Sequence, residues 1–352
     1  MRAAVLKHGK IEVRETADPT PCSGQILVRT KACGICASDL HFMDHPEADA
    51  DDDSCLSNYD ADRDIVMGHE YCAEIVDYGP DTERKWAKGT RVSSIPVLIT
   101  PQGARVIGYS PEVPGGFGEY FLMSEAVTQV IDSPLPDELL AIADAISVGW
   151  HYANTAKVQP DEIPMVIGCG AIGLSVIASL RRMGIGPIIA ADFVESRRLT
   201  ALAMGADHVV DPASVSPYKV WRELAYGSDD TQPLFGGAAG KKCVVFECVG
   251  VPGVLDGIIR SCERGTRILS AGGPPEGEHL HTMTAKRKGL NMHFGGGPSM
   301  PHWNEALEEV MSGRIDVAPM GGRVIGLDEM PQAINDARDA NGPARIIVQP
   351  WR

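Results

Sequence analysis

The sequence lacks an excess of basic residues, an apolar run long enough to span a membrane without interruption, and an even number of cysteines. Its 352 residues include 47 acidic and 32 basic side chains, which give a formal net charge of −15. We therefore expect neither nucleic acid nor anionic membranes as partners, because both recruit clustered lysine and arginine. Three glycines interrupt the longest apolar stretch, residues 164–180, and charged residues follow Met1 closely. This pattern predicts neither a transmembrane helix nor a signal peptide.

The nine cysteines are odd in number and unevenly spaced. They do not indicate a disulfide framework, so the sequence predicts a cytoplasmic protein whose reduced thiols are free to bind metal. A chain of this length with 44% hydrophobic residues can bury the cores of two domains.

The pattern of apolar, glycine and proline residues changes near residue 145. Before it, short apolar runs separated by glycine, proline and aspartate predict a β-rich domain, with one strand expected over residues 91–99. Between 146 and 295, strand and helix patterns alternate, which predicts an α/β fold with a doubly wound parallel sheet. The acidic stretch 47–64 predicts a solvated surface loop, since it lacks the glycine and distal glutamate of a calcium loop.

One segment, residues 33–41, combines thiols, a hydroxyl and an imidazole, and His69-Glu70 adds a second imidazole and a carboxylate. Sulfur and nitrogen donors together select zinc over magnesium or calcium. The Cys33-x-x-Cys36 spacing by itself leaves three interpretations open: paired metal ligands, a redox pair, or two buried thiols. No second CxxC is present, which excludes a closed four-sulfur site.

A glycine-rich segment, residues 168–173, follows the apolar run 165–167 and opens a helix pattern. That context fits a dinucleotide fingerprint, whose backbone amides approach a pyrophosphate at a helix N-terminus. Asp192 would accept hydrogen bonds from the ribose hydroxyls and repel a 2′-phosphate, which favours NAD over NADP. Arg197 and Arg198 leave NADP open, although a solvated helix start also explains them.

These segments, with the Gly-Gly-Phe-x-Glu-Tyr run at 115–120, resemble the zinc-dependent medium-chain alcohol dehydrogenases. The branch of sorbitol, threonine and glucose dehydrogenases is the most similar. The resemblance implies a GroES-like β-rich catalytic domain formed by residues 1–145 and 296–352, and a Rossmann domain over 146–295. It also implies a homodimer or homotetramer joined through the nucleotide-binding domains.

The same resemblance implies a ligand set for one catalytic zinc. Cys36 supplies the thiolate and His69 the imidazole, and Asp144 stands where polyol dehydrogenases carry a glutamate. A helix cap is the alternative for Asp144, and Glu70 is either an alternative fourth ligand or an acid beside the metal. Asp39 would orient His69, whereas Cys33 is interpreted as packing. No structural zinc is expected, because residues 91–120 contain no cysteine.

In the family, a hydroxyl at the position of Ser38 takes the alcohol proton, which passes by the cofactor ribose to a histidine at the position of His41 and then to solvent. A helix N-cap is the alternative role for Ser38. Arg345 resembles an arginine that meets the pyrophosphate, with a surface ion pair as the alternative. The expected cofactor-binding residues are Gly168, Gly170, Ala171, Ile172, Gly173, Asp192, Arg197, Val148, Gly250, Gly272 and Arg345.

The sequence thus predicts a zinc-dependent enzyme that transfers a hydride between a secondary alcohol and NAD. A polyol or sugar-like substrate is indicated only by the branch that the chain resembles. Two alternatives stay open: an NADPH-dependent aldehyde or ketone reductase, and a catalytically inactive relative that binds cofactor. In each case the expected partner is a small molecule.

Overall fold

The computed structural model describes residues 1–45, 57, 59–227, 241–274, 276–339, 342 and 345–352. Most of the acidic stretch predicted as a surface loop over 47–64 lies outside the described residues, namely residues 47–56 and 58. The chain divides into two units. The first comprises Met1–Asp144, Leu307–Gly313 and Gly321–Arg352, and the second comprises Ala145–Ala306 and Arg314–Met320.

The first unit is built mainly of short strands. In chain order they are β1 (Arg2–Lys7), β2 (Lys10–Glu15), β3 (Gln25–Gly34), β4 (Ile65–Val66), β5 (Glu70–Tyr78), β6 (Arg91–Ser94), β7 (Val97–Thr100), β8 (Gly103–Val106), β9 (Tyr120–Ser124), β10 (Thr128–Val130), β17 (Arg323–Ile325) and β18 (Ile346–Val348). The largest sheet has the order β10-β6-β5-β3-β18-β17, and β9 also pairs with β3. The smaller sheets are β2-β1-β4 and the hairpin β7-β8. Side chains such as Val28, Phe117 and Phe121 are fully buried in this unit.

One predicted strand is wrong. The sequence suggests a single strand over 91–99, whereas β6 ends at Ser94 and β7 begins at Val97. Pro96 has no N–H to donate to a sheet, and the amide of Val97 bonds to the carbonyl of Ile95 at 2.7 Å, which closes a tight turn. The break lets β7 pair with β8 instead of extending β6.

The second unit carries a six-stranded sheet of order β13-β12-β11-β14-β15-β16, and all of its pairings are parallel. The central strands β11 and β14 are apolar along almost their whole length, as expected for strands covered on both faces. The strands are β11 (Glu162–Ile167), β12 (Ile189–Ala191), β13 (His208–Val210), β14 (Lys242–Glu247), β15 (Arg267–Ser270) and β16 (Asn291–Phe294). The predicted α/β fold with a doubly wound parallel sheet is confirmed.

Helices flank both sets of strands. They are α1 (Ala37–Asp44), α2 (Asp137–Leu140), α3 (Ala143–Ala156), α4 (Ala171–Arg182), α5 (Glu195–Ala203), α6 (Pro217–Tyr226), α7 (Val254–Ser261), α8 (Thr282–Lys288), α9 (Met300–Met311) and α10 (Met330–Arg338). Two of them open next to candidate site residues, because α1 follows Cys36 and α4 begins inside the glycine-rich segment. Among the described residues, none of the helices combines the length and the apolar composition that crossing a membrane requires.

Candidate active site

Three neighbouring strands bring the predicted metal ligands together. In the large sheet of the first unit, β3 lies between β5 and β18. Gly34, the last residue of β3, is paired with Glu70 on one side and with Ile347 on the other. The residues just beyond these strand ends, Cys36, His69 and Arg345, therefore converge on one end of the sheet. Strands distant in sequence can supply one site in this way because sheet register fixes their ends.

Cys36, His69 and Glu70 form a cluster of metal-donor groups. One donor atom from each residue lies within 4.8 Å of the donor atoms of the other two. His69 and Glu70 are buried, and Cys36 is half-buried. Sulfur, nitrogen and oxygen donors in this arrangement suit zinc, which leaves room for water or substrate when it has three protein ligands. The residues present therefore fit the ion that the motifs predict.

Burial raises the pKa of the Cys36 thiol, and the charge of Glu70 raises it further. Burial acts in the opposite sense on His69, but Tyr109 and Asp39 outweigh it, so the pKa of His69 is raised well above its usual value. A bound cation reverses this balance for the thiol, because a coordinating thiol is deprotonated. Without metal, the fold therefore holds a thiol and an imidazole together whose pKa values a bound cation would change.

Asp39 links two of the donor residues. Its Oδ2 accepts a hydrogen bond from the backbone N–H of Cys36 at 2.9 Å, which closes the capping box at the start of α1. Its Oδ1 lies 3.2 Å from Nδ1 of His69, although the angle is not that of a hydrogen bond. The contact at Nδ1 leaves Nε2 as the nitrogen directed toward Ser38 and the donor cluster.

Ser38 and His41 lie on α1, one turn apart. The Ser38 Oγ is 3.4 Å from Nε2 of His69, whereas His41 is exposed. Cys36, not Ser38, is the N-cap residue of α1. The structure therefore places the Ser38 hydroxyl beside the cluster and the His41 imidazole at the solvent side of the same helix.

Arg345 forms a buried ion pair with Glu70 rather than a surface one. The two side chains are about equally inaccessible, at 4% and 1% exposure. Gly34 makes room for the pair, because a Cβ there would lie 2.3 Å from Oε2 of Glu70. Arg345 Nε is buried without a partner among the described residues, so part of this guanidinium stays unsatisfied.

Asp144, predicted as the third ligand, is not one of the three clustered donors. It is half-buried in the first turn of α3. Its negative charge contributes to raising the pKa of the Tyr71 phenol and of the Arg345 guanidinium. Cys33 lies next to the cluster but is packed against glycines, since a Cβ on Gly68 or Gly116 would approach its Sγ within 3 Å. Burial raises the pKa of Cys33 well above the usual thiol value.

Sequence reasoning missed Tyr109. Its ring lies 5.3 Å from the ring of His69 and 4.8 Å, edge to face, from that of Phe42. Burial raises the pKa of its phenol well above the usual value, and Ser38 lowers it. No motif spacing marks this tyrosine, because it comes from the segment after β8, about forty residues beyond His69 in the sequence.

In the second unit the glycine-rich segment connects β11 to α4. Gly168 has a positive φ of 93°, and a Cβ on Gly173 would lie 1.9 Å from the carbonyl oxygen of Gly168. These two glycines are needed by the turn itself. Gly170 is different, because its φ is −73° and a Cβ there would meet no atom within 4 Å. An open position of this kind is where a dinucleotide fingerprint lets the backbone approach a pyrophosphate.

Asp192 holds the neighbouring backbone in place. Its two carboxylate oxygens accept hydrogen bonds, both of 2.8 Å, from the backbone N–H groups of Cys169 and Val194. Arg198 donates to the carbonyls of Asp192 and Phe193, each at 2.8 Å, while Arg197 is half-buried on α5. Asp192 thus joins the glycine-rich loop to the start of α5.

Glu247 is a second residue that sequence reasoning missed. It is buried at the end of β14, and its Oε1 accepts hydrogen bonds from Val249 and Gly250 N–H groups at 2.7 and 2.9 Å. A Cβ on Gly272 would lie 2.4 Å from the nitrogen of Gly250, so these two predicted cofactor residues pack backbone to backbone. Val148 is half-buried on α3. Ala171 and Ile172 form the first turn of α4.

Comparison with known proteins adds independent support. The alcohol dehydrogenase GroES-like domain matches residues 22–134, and the zinc-binding dehydrogenase family matches residues 171–312. The (R,R)-butanediol dehydrogenase of Bacillus subtilis is 31% identical over 272 residues, which cover 74% of each chain. The sorbitol dehydrogenase of the same organism is 27% identical, over 79% of this chain and 76% of the relative.

Solved structures share the architecture over almost the whole chain. A protein named as a zinc-binding dehydrogenase from Sinorhizobium meliloti, bound to NADP, is 25% identical with a TM-score of 0.81 and covers 99% of both chains. The 2R,3R-butanediol dehydrogenase of Bacillus subtilis has a TM-score of 0.79 at 23% identity and 99% coverage of both, which shows the fold alone. Together with the matched domains, these relatives confirm the predicted GroES-like and Rossmann folds. The chain belongs to the zinc-dependent medium-chain alcohol dehydrogenase family.

Proposed function

We propose that this oxidoreductase oxidises a secondary alcohol, with one catalytic zinc per chain and NAD as the hydride acceptor. The observation that carries the proposal is the Cys36, His69 and Glu70 cluster with the Ser38 hydroxyl beside it. Relatives named for secondary alcohols, the butanediol and sorbitol dehydrogenases, support the substrate class. Butanediol and sorbitol each carry more than one hydroxyl group, so these relatives also support a substrate with several hydroxyl groups.

Cys36 and His69 would hold the zinc, with Asp144 as the third ligand and Glu70 as a further ligand or a neighbouring acid. When bound, the ion supplies Lewis acidity, which lowers the pKa of an alcohol hydroxyl toward neutrality. Ser38, whose Oγ lies 3.4 Å from Nε2 of His69, would accept the proton of that hydroxyl. The proton would pass by the cofactor ribose to the exposed His41, which would release it to solvent. A bound nicotinamide would accept the hydride of the carbinol carbon, so the overall products would be a ketone, the reduced cofactor and one proton.

The cofactor belongs to the second unit in this proposal. Gly170 leaves space for the pyrophosphate, and the amides at the start of α4 would face it. Asp192 supports NAD, because a carboxylate there would repel a 2′-phosphate. Gly168, Gly173, Ala171, Ile172, Arg197, Val148, Gly250 and Gly272 complete the proposed cofactor site. Arg345 would need to release part of its contact with Glu70 to bind the pyrophosphate as well.

The NADP-bound relative favours a second candidate, an NADPH-dependent aldehyde or ketone reductase. Arg198, which donates to the carbonyl of Asp192, and Arg197 beside it on α5 would offer a phosphate partner in that case. Comparing kcat/KM with each of the four cofactor forms separates the two candidates. Asp192→Gly should shift the NAD-to-NADP ratio of kcat/KM toward NADP if the ribose assignment is correct.

Three further features belong to this proposal. The catalytic domain is assigned to residues 1–145 and 296–352 and the Rossmann domain to 146–295. The two units of the structure divide at 144/145 and 306/307, and Arg314–Met320 also belongs to the second unit. β16 forms an edge of the parallel sheet and leaves Phe294 63% exposed, which supports a homodimer or homotetramer through this edge. Unpaired thiols at eight described cysteines support a cytoplasmic location.

Elemental analysis and turnover test the proposal together. We expect one equivalent of zinc in the wild-type protein, none in Cys36→Ala, and wild-type content in the matched control Cys33→Ala. Oxidation of at least one secondary alcohol on a broad panel is expected for the wild type. Stoichiometric zinc without any turnover would instead indicate an inactive cofactor-binding relative, and absence of zinc would refute the proposal.

A further inference from the structure

The strand order of the parallel sheet reverses between β11 and β14. From β11 the chain moves outward to β12 and β13, and it then returns to place β14 on the other side of β11. Dinucleotides bind across the carboxyl ends of the strands at such a reversal. In the proposed cofactor site Asp192, which follows β12, binds the adenosine ribose, so the nicotinamide half belongs on the opposite side, at the ends of β14 and β15.

Glu247 is the last residue of β14 and lies at this reversal. Sheet register pairs it with Ile167, which precedes the glycine-rich segment, and with Ser270, the last residue of β15. Glu247 is only 2% exposed. A carboxyl group is therefore buried at the strand ends on the nicotinamide side of the proposed cofactor site.

Neutral groups hold the carboxyl group of Glu247. Oε1 accepts hydrogen bonds from the N–H groups of Val249 and Gly250 at 2.7 and 2.9 Å, and Oε2 lies 3.2 Å from Oγ of Ser270. Two N–H donors on one oxygen favour the ionised form of a carboxyl group. These contacts therefore fix the side chain in place without neutralising its charge.

The charge of Glu247 also differs from that of the other buried glutamate in this sheet. Glu162, at the opposite end of the sheet, forms an ion pair with Arg267, whose Nη2 lies 2.6 Å from its Oε2. Among the described residues, no basic side chain forms an ion pair with Glu247. Burying a charge without a partner costs free energy, and a cationic ligand at these strand ends would offset that cost.

Only one form of the cofactor carries a cation on its nicotinamide half. The nicotinamide ring of NAD⁺ is positively charged, and the ring of NADH is neutral. Attraction between opposite unit charges about 10 Å apart in a protein interior changes affinity by roughly 10-fold. A carboxylate on the nicotinamide side therefore stabilises the complex with the oxidised form and has little effect on the complex with the reduced form.

We propose that Glu247 is a specificity-determining residue whose buried negative charge strengthens the binding of NAD⁺ relative to NADH. This inference rests on the proposed function and deepens its cofactor assignment. The charge favours the form that accepts the hydride and eases release of the form that results. Because binding and redox equilibria are linked, the same charge lowers the reduction potential of the bound cofactor.

Glu247→Gln tests the charge, because a glutamine can keep the hydrogen bonds. Its amide oxygen can accept the same two N–H groups, and its NH2 group can donate to Oγ of Ser270, which has its own acceptor in the carbonyl oxygen of Gly272 at 2.9 Å. We expect the Kd for NAD⁺ to rise by about 10-fold and the Kd for NADH to change by less than about 2-fold. Calorimetric titration with NAD⁺ and the fluorescence of NADH measure the two constants.

Two controls separate the charge from the structure of the loops. Ser270→Ala removes a contact of the carboxylate but keeps its charge, so the ratio of the two Kd values should stay as in the wild type. ADP-ribose, which lacks the nicotinamide ring, should bind the wild type and Glu247→Gln equally well. Equal melting temperatures would show that both variants fold normally.

The outcomes distinguish this inference from the proposed function. An unchanged ratio in Glu247→Gln, whether both affinities fall together or neither falls, would overturn the inference and leave the proposed function intact. Conversely, a protein that shows the expected change in ratio but oxidises no alcohol would overturn only the proposed function. A wild-type protein that binds neither form of NAD would overturn both.

Discussion

Oδ2 of Asp39 accepts the backbone N–H of Cys36 at 2.9 Å while its Oδ1 lies 3.2 Å from Nδ1 of His69, so one carboxylate contacts two candidate metal-ligand residues. Groups behind a metal-ligating histidine fix the ring orientation and raise its basicity. The carboxylate also caps α1, the helix that carries Ser38. Ligand geometry and the start of this helix are therefore set by one buried side chain.

Asp39→Asn is expected to weaken zinc binding by roughly 10- to 100-fold, because the neutral amide supports the imidazole less well. Competition with a fluorescent zinc chelator measures the affinity. Asp44→Asn is the matched control: it lies on the same helix but is exposed and pairs with Arg338. Equal zinc affinity in the two variants would show that Asp39 serves only as a cap.

The Asp144→Asn variant tests whether Asp144 is a zinc ligand or a helix cap. If Asp144 binds zinc, loss of its charge should lower zinc affinity by at least about 10-fold and reduce kcat, with little change in the affinity for the dinucleotide. Chelator competition and steady-state kinetics provide the two readings. Full retention of zinc and rate would leave Glu70, already within the cluster, as the third protein ligand.

The buried pair of Glu70 and Arg345 predicts strong non-additivity. Removing one partner leaves the other charge buried and unpaired, so Glu70→Gln and Arg345→Met should each lower the free energy of unfolding by about 3 kcal/mol. The double variant should lose much less than the sum of the two. Chemical denaturation of the metal-free proteins gives these values, and simple additivity would mean that the two groups do not interact in solution.

Gly170→Ala and Gly173→Ala form a pair with opposite expected effects. A Cβ at 170 meets no protein atom within 4 Å, so this variant should keep its melting temperature but lose at least about 10-fold in dinucleotide affinity. At 173 the Cβ would clash with the carbonyl oxygen of Gly168, and the melting temperature should fall. Calorimetry and cofactor titration measure both. Unchanged cofactor affinity in Gly170→Ala would argue against a pyrophosphate at this loop.

The sequence allows the prediction of elements whose signal is local. The apolar runs of β11 and β14 and the glycine-rich turn between β11 and α4 follow from composition and spacing. The strand expected over 91–99 fails because Pro96 interrupts it. Apolar residues directly before and after Pro96, Ile95 and Val97, make the segment resemble one continuous strand.

Contacts that depend on sheet register could not be predicted. Glu70 reaches Arg345 because both flank Gly34 in the large sheet, and the sequence separation of 275 residues gives no hint of that. Tyr109 reaches His69 by way of two glycine segments that meet only in the folded chain. The third zinc ligand depends on where α3 begins relative to the cluster, which spacing alone does not determine.

Because Gly68 and Gly108 approach closely, the position of the backbone at residue 109 does not depend on the side chain that residue 109 carries. The glycines hold the segment before position 109 at a fixed distance from His69, whatever side chain position 109 carries. Exchanging that one side chain can therefore change the surroundings of the imidazole without moving it. Replacing either glycine, in contrast, would displace the imidazole and the tyrosine at once.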